Sequence, residues 1–414
     1  MRVIYSDQLM QPIAHFSHAT RVQQLVHVGA TAGTDAQRRL AGACVGTTDL
    51  DAQTISMFDN LETVLGLMGA KASELLRVKL YVTETRDMAR CAALFEERYG
   101  ASGLRPVVVG SAGFPLPHAM VELDAVALIG STPKMLAHAG VAASGTDQRC
   151  HLLVLPEAAT TGTVPRGIRA QIEHSLANLR RAVDACGMKL GDVVSVHLTL
   201  ADPGDLPAVE AALAPVLSQS RPACTVVGAP LSHREHLLQL EVLCVRGGGT
   251  PVQAPGASCV LRGGSPAVLS GDELHIGSQT GVRDGSSSGS DGRSGSGTAS
   301  GTGSGAGANS GAAHRADDDG VHGQTRRAFD KVAALLQAAG MSTEHLMRTN
   351  NVLVDWRDYA GFNLGYGANV TRPYPPRATV LGTLAVADAR VQIEGSAHRR
   401  LDEFVRLDRP PDGP

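Results

Sequence analysis

The sequence predicts an α+β protein made of three copies of one module, and two observations lead to this prediction. The first is a helical segment that recurs at residues 52–69, 170–187 and 323–340. The second is the order of elements around each copy, which is β-α-β-α-β-β. This order predicts, in each module, a sheet with helices on one face. Internal repeats of this kind determine the architecture, so we divide the chain into three modules.

The recurring segment has the marks of an amphipathic helix. Each copy opens with a glutamine that lies 16 residues before a closing glycine, the pairs being Gln53 and Gly69, Gln171 and Gly187, and Gln324 and Gly340. In the first copy Phe58, Leu61 and Leu65 fall at helical spacing and predict one buried stripe. The closing glycine suits a helix C-cap, where a positive φ is needed.

The other elements of the first module follow from alternation and turn residues. We expect strands at 25–30, 77–82, 107–111 and 120–128, a Gly-containing turn at 31–33, and a second helix ending near Tyr99. The strand at 77–82 alternates, with Val78 and Leu80 on one face and Arg77 and Lys79 on the other. Three aspartates lie 34 residues after the marker glutamines and are predicted N-caps of the second helices: Asp87, Asp205 and Asp358.

The later modules repeat this path. The second is expected to have strands at 152–155, 195–200, 225–228 and 237–245, and the third at 273–277, 348–354, 378–382 and 390–397. We place the modules at residues 1–130, 131–250 (degenerate) and 251–405, followed by a tail at 406–414. The third contains a Gly/Ser-rich insert at 284–313 that is predicted to be disordered. The Pro-rich, charged chain after Leu401 is expected to fray.

Composition excludes several classes of function. Net charge is −3 with no block of Lys and Arg, so no nucleic-acid partner is expected. The 7 cysteines form no CxxC pair or His/Cys cluster, which predicts free thiols and no metal site. The chain has no apolar leader and no run of 18 apolar residues, so we expect a cytoplasmic protein without a membrane anchor.

Three features together resemble the RidA family, also called YjgF or L-PSP. One is the strand that runs into Gly277-Ser278-Gln279-Thr280-Gly281, predicted to be a turn. Another is the helix that opens with AQT and closes with AAG. The last is Pro375-Pro376-Arg377-Ala378-Thr379-Val380, followed by Val391-Gln392-Ile393-Glu394. Phe16-Ser17-His18-Ala19 is also similar to the family's YSQA motif, and the resemblance covers most of the chain three times.

The resemblance implies a fold, an assembly and an activity. Family members are homotrimers with ligand sites between neighbouring subunits, and many hydrolyse enamines or imines such as 2-aminoacrylate to a 2-keto acid and ammonia without a cofactor. Three fused modules would form the same ring as an intramolecular pseudo-trimer, and we expect a monomer. Fusion also lets the three clefts diverge, which identical subunits cannot do.

The family chemistry needs an Arg that grips a substrate carboxylate and a Glu that activates a water molecule. Arg377 matches the Arg, but Gln392 stands fifteen residues on, where the family has Glu. The second module has Cys224 and Gln239 in these positions, and a buried thiol is the expected state of Cys224. The first keeps Glu122, with Val107 fifteen residues before it and Arg105 as a substitute only if the turn is shifted. We therefore hypothesise that Arg377 and Glu122 share one cleft between modules.

Further substrate-binding candidates are Asn363, on the second helix, and the backbone N–H groups of Gly277 and Ser278. His27 and His275 share one position on their strands and are interpreted as core or interface residues. Three functions remain open at this stage. They are a cofactor-free imine or enamine hydrolase acting on a small carboxylate, a diverged enzyme for another carboxylate such as chorismate, and a non-catalytic binding or scaffold protein. The ribonuclease activity attributed to some members is disfavoured by the acidic balance.

Overall fold

A computed structural model describes residues 1–283 and 320–409. It contains three β-sheets with two helices packed on one face of each, which confirms the predicted α+β class and the three modules. The insert predicted at 284–313 lies outside the described residues. No helix in the two described ranges combines the length and the apolar character needed to cross a membrane.

The first module follows the predicted order with additions at its start. Its strands are β1 (Arg2–Tyr5), β2 (Ala19–Val22), β3 (Leu25–Ala32), β4 (Leu75–Val82), β5 (Val107–Gly110) and β6 (Val121–Leu128), and its helices are α1 (Asp49–Met68) and α2 (Met88–Tyr99). Strand β2 forms a hairpin with β3 and was not predicted. The predicted turn at 31–33 begins later, because β3 continues to Ala32 through a bulge after Val28.

The second and third modules repeat this plan. The second contains β7 (Lys134–His138), β8 (Val141–Gly145), β9 (Arg149–Val154), α3 (Ile168–Ala185), β10 (Val193–Leu200), α4 (Leu206–Leu217), β11 (Ala223–Gly228) and β12 (Leu238–Val245). The third contains β13 (Thr250–Val252), β14 (Ala267–Ser270), β15 (Glu273–Thr280), α5 (Val321–Ala338), β16 (Leu346–Leu353), α6 (Tyr359–Gly367), β17 (Arg377–Leu381), β18 (Thr383–Leu384) and β19 (Val391–His398). The predicted turn at 277–281 is wrong for its first four residues, which belong to β15.

The last strand, β20 (Phe404–Asp408), corrects the prediction that the chain frays after Leu401. It lies in the sheet of the first module, parallel to β1 and antiparallel to β2. The strand orders are β1-β20-β2-β3-β6-β4-β5, β18-β11-β10-β12-β9-β8-β7 and β13-β14-β15-β19-β16-β17. Thus β20 ties the third module to the first, and β18 pairs with β11 and ties the third to the second.

The helix ends are partly as predicted. Gly69 closes α1 in the left-handed conformation, and Gly187 and Gly340 also have positive φ. Asp87, Asp205 and Asp358 occupy the N-cap positions of the second helices, as predicted, but none of their side chains accepts a capping hydrogen bond within the described ranges. Each ends a short 3-10 turn and already has helical φ and ψ, whereas a capping residue is extended.

The helices cover the apolar face of each sheet, and the opposite faces of the three sheets meet in the centre. Phe58, Leu61 and Leu65 pack in the outer core of the first module, as predicted. A separate apolar cluster joins all three modules and includes Tyr81, Val109, Val227, Leu231 and Val380. The modules therefore form a ring within one chain.

Candidate active site

Strand β17 of the third module lies against β3 of the first module. Ser17 forms an isolated parallel bridge with Pro376. The two backbones come so close that a Cβ on Gly29 would lie 3.0 Å from the backbone nitrogen of Arg377. Glycine at position 29 is needed for this approach, which brings the start of β17 to the face of the first module's sheet.

A cavity of about 30 Å³ lies at this seam, and both predicted catalytic residues line it. Arg377 comes from β17, and Glu122 comes from β6. The rest of the lining is mostly apolar: Met10, Ile13, Phe16, Ala30, Ala32, Pro115, Leu116, Tyr359 and Thr379. The structure thus brings Arg377 and Glu122 together, as hypothesised, although their catalytic roles stay a prediction.

The guanidinium of Arg377 is held by its neighbours on α6 and in the first module. Its Nη2 donates to Asn363 Oδ1 at 2.5 Å and to the Tyr359 hydroxyl at 3.4 Å. The Tyr366 ring lies 4.4 Å from the guanidinium carbon, and the Phe16 ring lies 5.8 Å away. Among the residues that the structure describes, Nη1 is buried and has no hydrogen-bond partner, so its hydrogen-bonding capacity is unused.

Glu122 faces the same cavity without a charged partner in the described part of the chain. Its side chain is buried, and this burial raises the pKa of Glu122 to about 8. A carboxyl group in this state is largely protonated at neutral pH, because desolvation penalises the charged form. Such a group can donate a proton first and accept one later, which suits general acid–base chemistry.

The other predicted substrate-binding residues separate into two groups. Asn363 is next to Arg377, as described. Gly277 and Ser278 lie instead at the seam of the second and third modules, and their N–H groups donate to Pro266 O and to Thr225 Oγ1. The expectation that these two amides are free for a ligand is therefore not met. Gly277 occupies the position of Gly29, and its missing side chain lets β11 approach.

Gln392 and Arg105 also lie outside this cavity. Gln392 is buried at the seam of the second and third modules, where its Nε2 donates to Val226 O at 3.2 Å. Arg105 is exposed and pairs with Glu96 at 2.6 Å. A shifted turn does not bring Arg105 to a substrate, because the ion pair holds it against α2.

Strand register corrects the alignment of the first module. Arg377 lies four residues before Leu381, the partner of Leu353 at the end of β16. In the first module the corresponding pair at the end of β4 is Val82 and Gly110. The residue four positions before Gly110 is Pro106, so Pro106 and not Val107 is the equivalent of Arg377. The count of fifteen residues fails because the connection between β5 and β6 is one residue longer than the corresponding connection between β17 and β19.

The three seams can now be compared. At the seam of the second and third modules, the position of Arg377 is occupied by Cys224 and that of Glu122 by Gln392. At the seam of the first and second modules, the same positions hold Pro106 and Gln239. Cys224 is buried, as predicted, and burial next to Cys259 raises its pKa. Only the seam between the third and first modules has both an Arg and a Glu in these positions.

Sequence reasoning did not assign Phe16, Tyr359 and Tyr366 to the site. Phe16 is part of the Phe16-Ser17-His18-Ala19 motif, so the resemblance already indicated this segment. Tyr359 directly follows the Asp358 marker, but an aromatic residue on a helix gives no signal of its own. Across residues 1–283 and 320–409, no three His, Cys, Asp or Glu side chains form a group that could hold a metal ion.

Comparison with known proteins agrees with this architecture. The family described as Endoribonuclease L-PSP matches residues 7–129, 154–245 and 302–399. A RutC family protein of Pyrococcus abyssi is 25% identical over 125 residues, which are 30% of this chain and 94% of that protein. The 2-iminobutanoate/2-iminopropanoate deaminase of Escherichia coli is 28% identical over 95 residues, 22% of this chain and 74% of the enzyme.

A solved chorismatase has the same fold over a longer stretch. It covers 78% of this chain and 93% of its own, with a TM-score of 0.50 and 14% identity. Single-module relatives match one part of the chain at a time, whereas the family pattern matches three successive parts. The chain therefore belongs to the L-PSP (RidA/YjgF) family and carries three tandem copies of the family's module.

Proposed function

We propose that this protein hydrolyses reactive imines or enamines of small 2-keto acids, at the cavity between the third and first modules. One observation carries the proposal: a partly unpartnered arginine and a buried glutamic acid, whose pKa burial raises to about 8, line the same small, mostly apolar cavity. The similarity to a 2-iminobutanoate/2-iminopropanoate deaminase supports it.

Arg377 supplies the binding group. Its unpartnered Nη1 donates a hydrogen bond to one carboxylate oxygen of an imino acid, while Asn363 and the Tyr366 ring fix the plane of the guanidinium. Because the surrounding walls are apolar, this charge-assisted hydrogen bond forms in a poorly solvated place and gains strength. The substrate's carbon chain is then directed toward the first module.

Glu122 supplies the proton transfers. The neutral carboxylic acid protonates the imine nitrogen, which makes the imine carbon more electrophilic. The resulting carboxylate accepts a proton from the attacking water, and a carbinolamine forms. Transfer of that proton to the amine lets ammonia leave as the hydroxyl becomes the keto group. Water and the imine are consumed, ammonia and the 2-keto acid are produced, and Glu122 returns to its protonated state.

The direct test is release of keto acid from freshly generated 2-aminoacrylate and 2-iminobutanoate, corrected for the uncatalysed rate. The native chain is expected to accelerate release, and Arg377→Ala is expected to lower kcat/KM about 10- to 100-fold. This factor corresponds to losing a charge-assisted hydrogen bond worth about 1.5–3 kcal/mol. Arg86→Ala is the matched control, because the side chain of Arg86 is 83% exposed and belongs to the turn just before α2.

Each outcome decides between the possible functions. Acceleration that survives Arg377→Ala unchanged would contradict the site. No acceleration with either substrate would contradict the activity and favour a binding or scaffold role. In that case a small carboxylate should still protect the native chain, but not Arg377→Ala, against thermal unfolding.

The pH profile gives an independent prediction. Because the proposed first step needs protonated Glu122, kcat/KM should fall as pH rises through about 8. The measurement is kcat/KM between about pH 6 and about pH 10. A rate that rises through this pH would indicate that the carboxylate form is active and would refute the proposed order of proton transfers.

A second candidate is hydrolysis of a larger carboxylate such as chorismate. It is favoured by the fold shared with a chorismatase and by the apolar walls of the cavity. The small volume favours imino acids instead, since about 30 Å³ of such space holds only about two water molecules. Incubation with chorismate, followed by detection of pyruvate, separates the two candidates.

A further inference from the structure

The polar faces of the three sheets enclose a second cavity, of about 100 Å³, at the centre of the ring. Its lining includes residues of all three modules, and it is separate from the cavity that contains Arg377 and Glu122. Leu104 and the exposed Arg105 are also among its lining residues. A cavity of this size exceeds by several-fold the roughly 10–15 Å³ that one water molecule requires.

Three histidines occupy equivalent positions around this chamber. His27, His151 and His275 lie on β3, β9 and β15. Each histidine is paired with a residue of the adjacent strand, and that residue is paired on its other side with a residue of β4, β10 or β16. Those latter positions hold Arg77, Ser195 and Arg348. The chamber is thus built from one repeated polar row of the module, with the middle arginine replaced by serine.

Most charged groups in the chamber neutralise one another. Arg77 bonds both Asp124 and Glu241, and Lys79 Nζ lies 2.5 Å from Glu241. Burial alone would raise the pKa of Glu241, but Lys79 and Arg77 outweigh it and hold this pKa well below its usual range. Arg149 is bonded to Glu273.

Arg348 is the exception among the chamber residues described here. The acid of its own module, Glu394, accepts instead from His197 of the second module, at 3.4 Å. The next acid around the ring, Asp124, accepts hydrogen bonds from Arg77 and from the Tyr81 hydroxyl. As a result Nε and Nη1 of Arg348 are buried without a hydrogen-bond partner in the described part of the chain.

The histidines add further unused hydrogen-bonding atoms. Both ring nitrogens of His27 and the Nε2 atoms of His151 and His275 are buried and lack partners among the described residues. Side chains of His27 and His275 are 5% and 4% exposed, which leaves them little access to bulk water. His27 and His275 are thus buried, as their interpretation as core or interface residues implies, but three of their four ring nitrogens have no partner among the described residues. Buried polar groups without partners are costly, so this chamber is incomplete without an occupant.

The same residues are close enough to influence one another's ionisation. Burial lowers the pKa of His275 to about 4, and Arg149 and Arg348 act in the same direction against Glu273. Burial and Arg348 also depress the pKa of His27. Both imidazoles are therefore neutral at pH 7. His275 Nδ1 lies 3.6 Å from Glu273 Oε1 and directs its N–H to that carboxylate, whereas His27 offers one N–H donor and one acceptor nitrogen to an occupant.

We infer that this central chamber binds a small oxyanion, held by Arg348 and by the N–H group of His27. A planar guanidinium with two unused N–H directions suits the oxygens of a phosphate or a carboxylate. Three acids line the chamber: Glu241 and Glu273 are each engaged by a cation, and Glu394 pairs with His197, so the N–H groups of Arg348 left without partners remain for an anion. This site is independent of the proposed hydrolase activity and uses none of its residues.

Calorimetric titration of the full chain with inorganic phosphate tests the inference, with 2-ketobutyrate in a parallel titration. Phosphate should bind one site per chain with a Kd of about 1 mM or tighter. Arg348→Gln should weaken this binding at least tenfold, and Arg348→Lys should weaken it less. Arg377→Ala should leave phosphate binding unchanged, which distinguishes the chamber from the cavity at the seam.

The outcomes show which anion the chamber binds and whether the inference holds. If 2-ketobutyrate competes with phosphate in Arg377→Ala, the chamber accepts carboxylates as well; if it does not, the chamber is a phosphate site. Absence of saturable binding of both anions, or equal phosphate binding by Arg348→Gln, would overturn the inference. Thermal melting of Arg348→Gln checks folding, and we expect no loss of stability because the removed guanidinium has unpartnered atoms.

Discussion

Glu122→Gln is expected to reduce the acceleration of imine hydrolysis by about 10²- to 10⁴-fold, the usual contribution of a general acid–base group. Gln can orient a water molecule through its amide but can neither donate nor accept the proton that the reaction moves. The substitution is mild in shape, and glutamine already occupies the same position in the other modules, as Gln239 and Gln392. Single-turnover release of keto acid measures the loss.

The same variant should be more stable than the native chain at high pH. The folded-state pKa of Glu122 is about 8, above its value of 4.5 in an unfolded chain. Between these values the folded state binds more protons, so native stability falls as pH rises. Glu122→Gln removes this dependence, and the gap in Tm between the variant and the native chain should widen from about pH 5 to about pH 9.

Two results would contradict the assigned role of Glu122. One is a variant that keeps native kcat/KM, which would show that another group moves the proton. The other is a variant that is inactive and also less stable at high pH, which would show that Glu122 supports the fold through its charge. Glu97→Gln is a suitable control, because Glu97 is an exposed residue of α2 that pairs with Arg90.

A chain that ends after Arg400 is expected to lose much of its stability and to open the ring between the third and first modules. This truncation removes β20, which lies between β1 and β2 and leaves both strands without that partner. Phe404 and Leu407 are fully buried, and loss of a buried Phe side chain alone costs about 3–5 kcal/mol. Arg406 also donates from Nη2 to Leu346 O, a contact that joins the tail to β16.

The matched control is a chain that ends after Arg409, which retains all of β20. Urea unfolding of the two truncated chains and the native chain measures the effect. We expect the chain ending at Arg409 to match the native chain, and the shorter chain to unfold at a lower urea concentration. It should also lose imine hydrolysis, because β20 fastens the seam that contains Arg377 and Glu122. Equal stability of the two truncated chains would refute the stabilising role of β20.

The sequence by itself determined the repeat, the two helices of each module and the order of the four strands that the modules share. Local periodicity is sufficient for these, because a helix or strand that covers a core shows its buried face in its own residues. Phe58, Leu61 and Leu65 indicated the buried face of α1 in this way, and Gly69 indicated its end. The family resemblance rested on the same local segments and was confirmed.

Only the tertiary structure decided what covers the other faces. Alternation in β4 indicated that Arg77 and Lys79 share one face, but it did not show that this face is buried in the chamber. Burial of a polar face depends on partners from other modules, and no local pattern encodes them. The sequence pattern of each polar row would be the same if that face of the sheet were exposed to solvent.

Long-range pairing decided the candidate site as well. Arg377 and Glu122 are far apart in sequence, and their shared cavity depends on how β17 meets β3. The pairing of β20 with β1 joins opposite ends of the chain, and a charged, Pro-rich tail gave no local sign of it. A single extra residue between β5 and β6 moved Pro106 into the position expected for Val107, because strand register follows hydrogen-bond pairing and not residue counting.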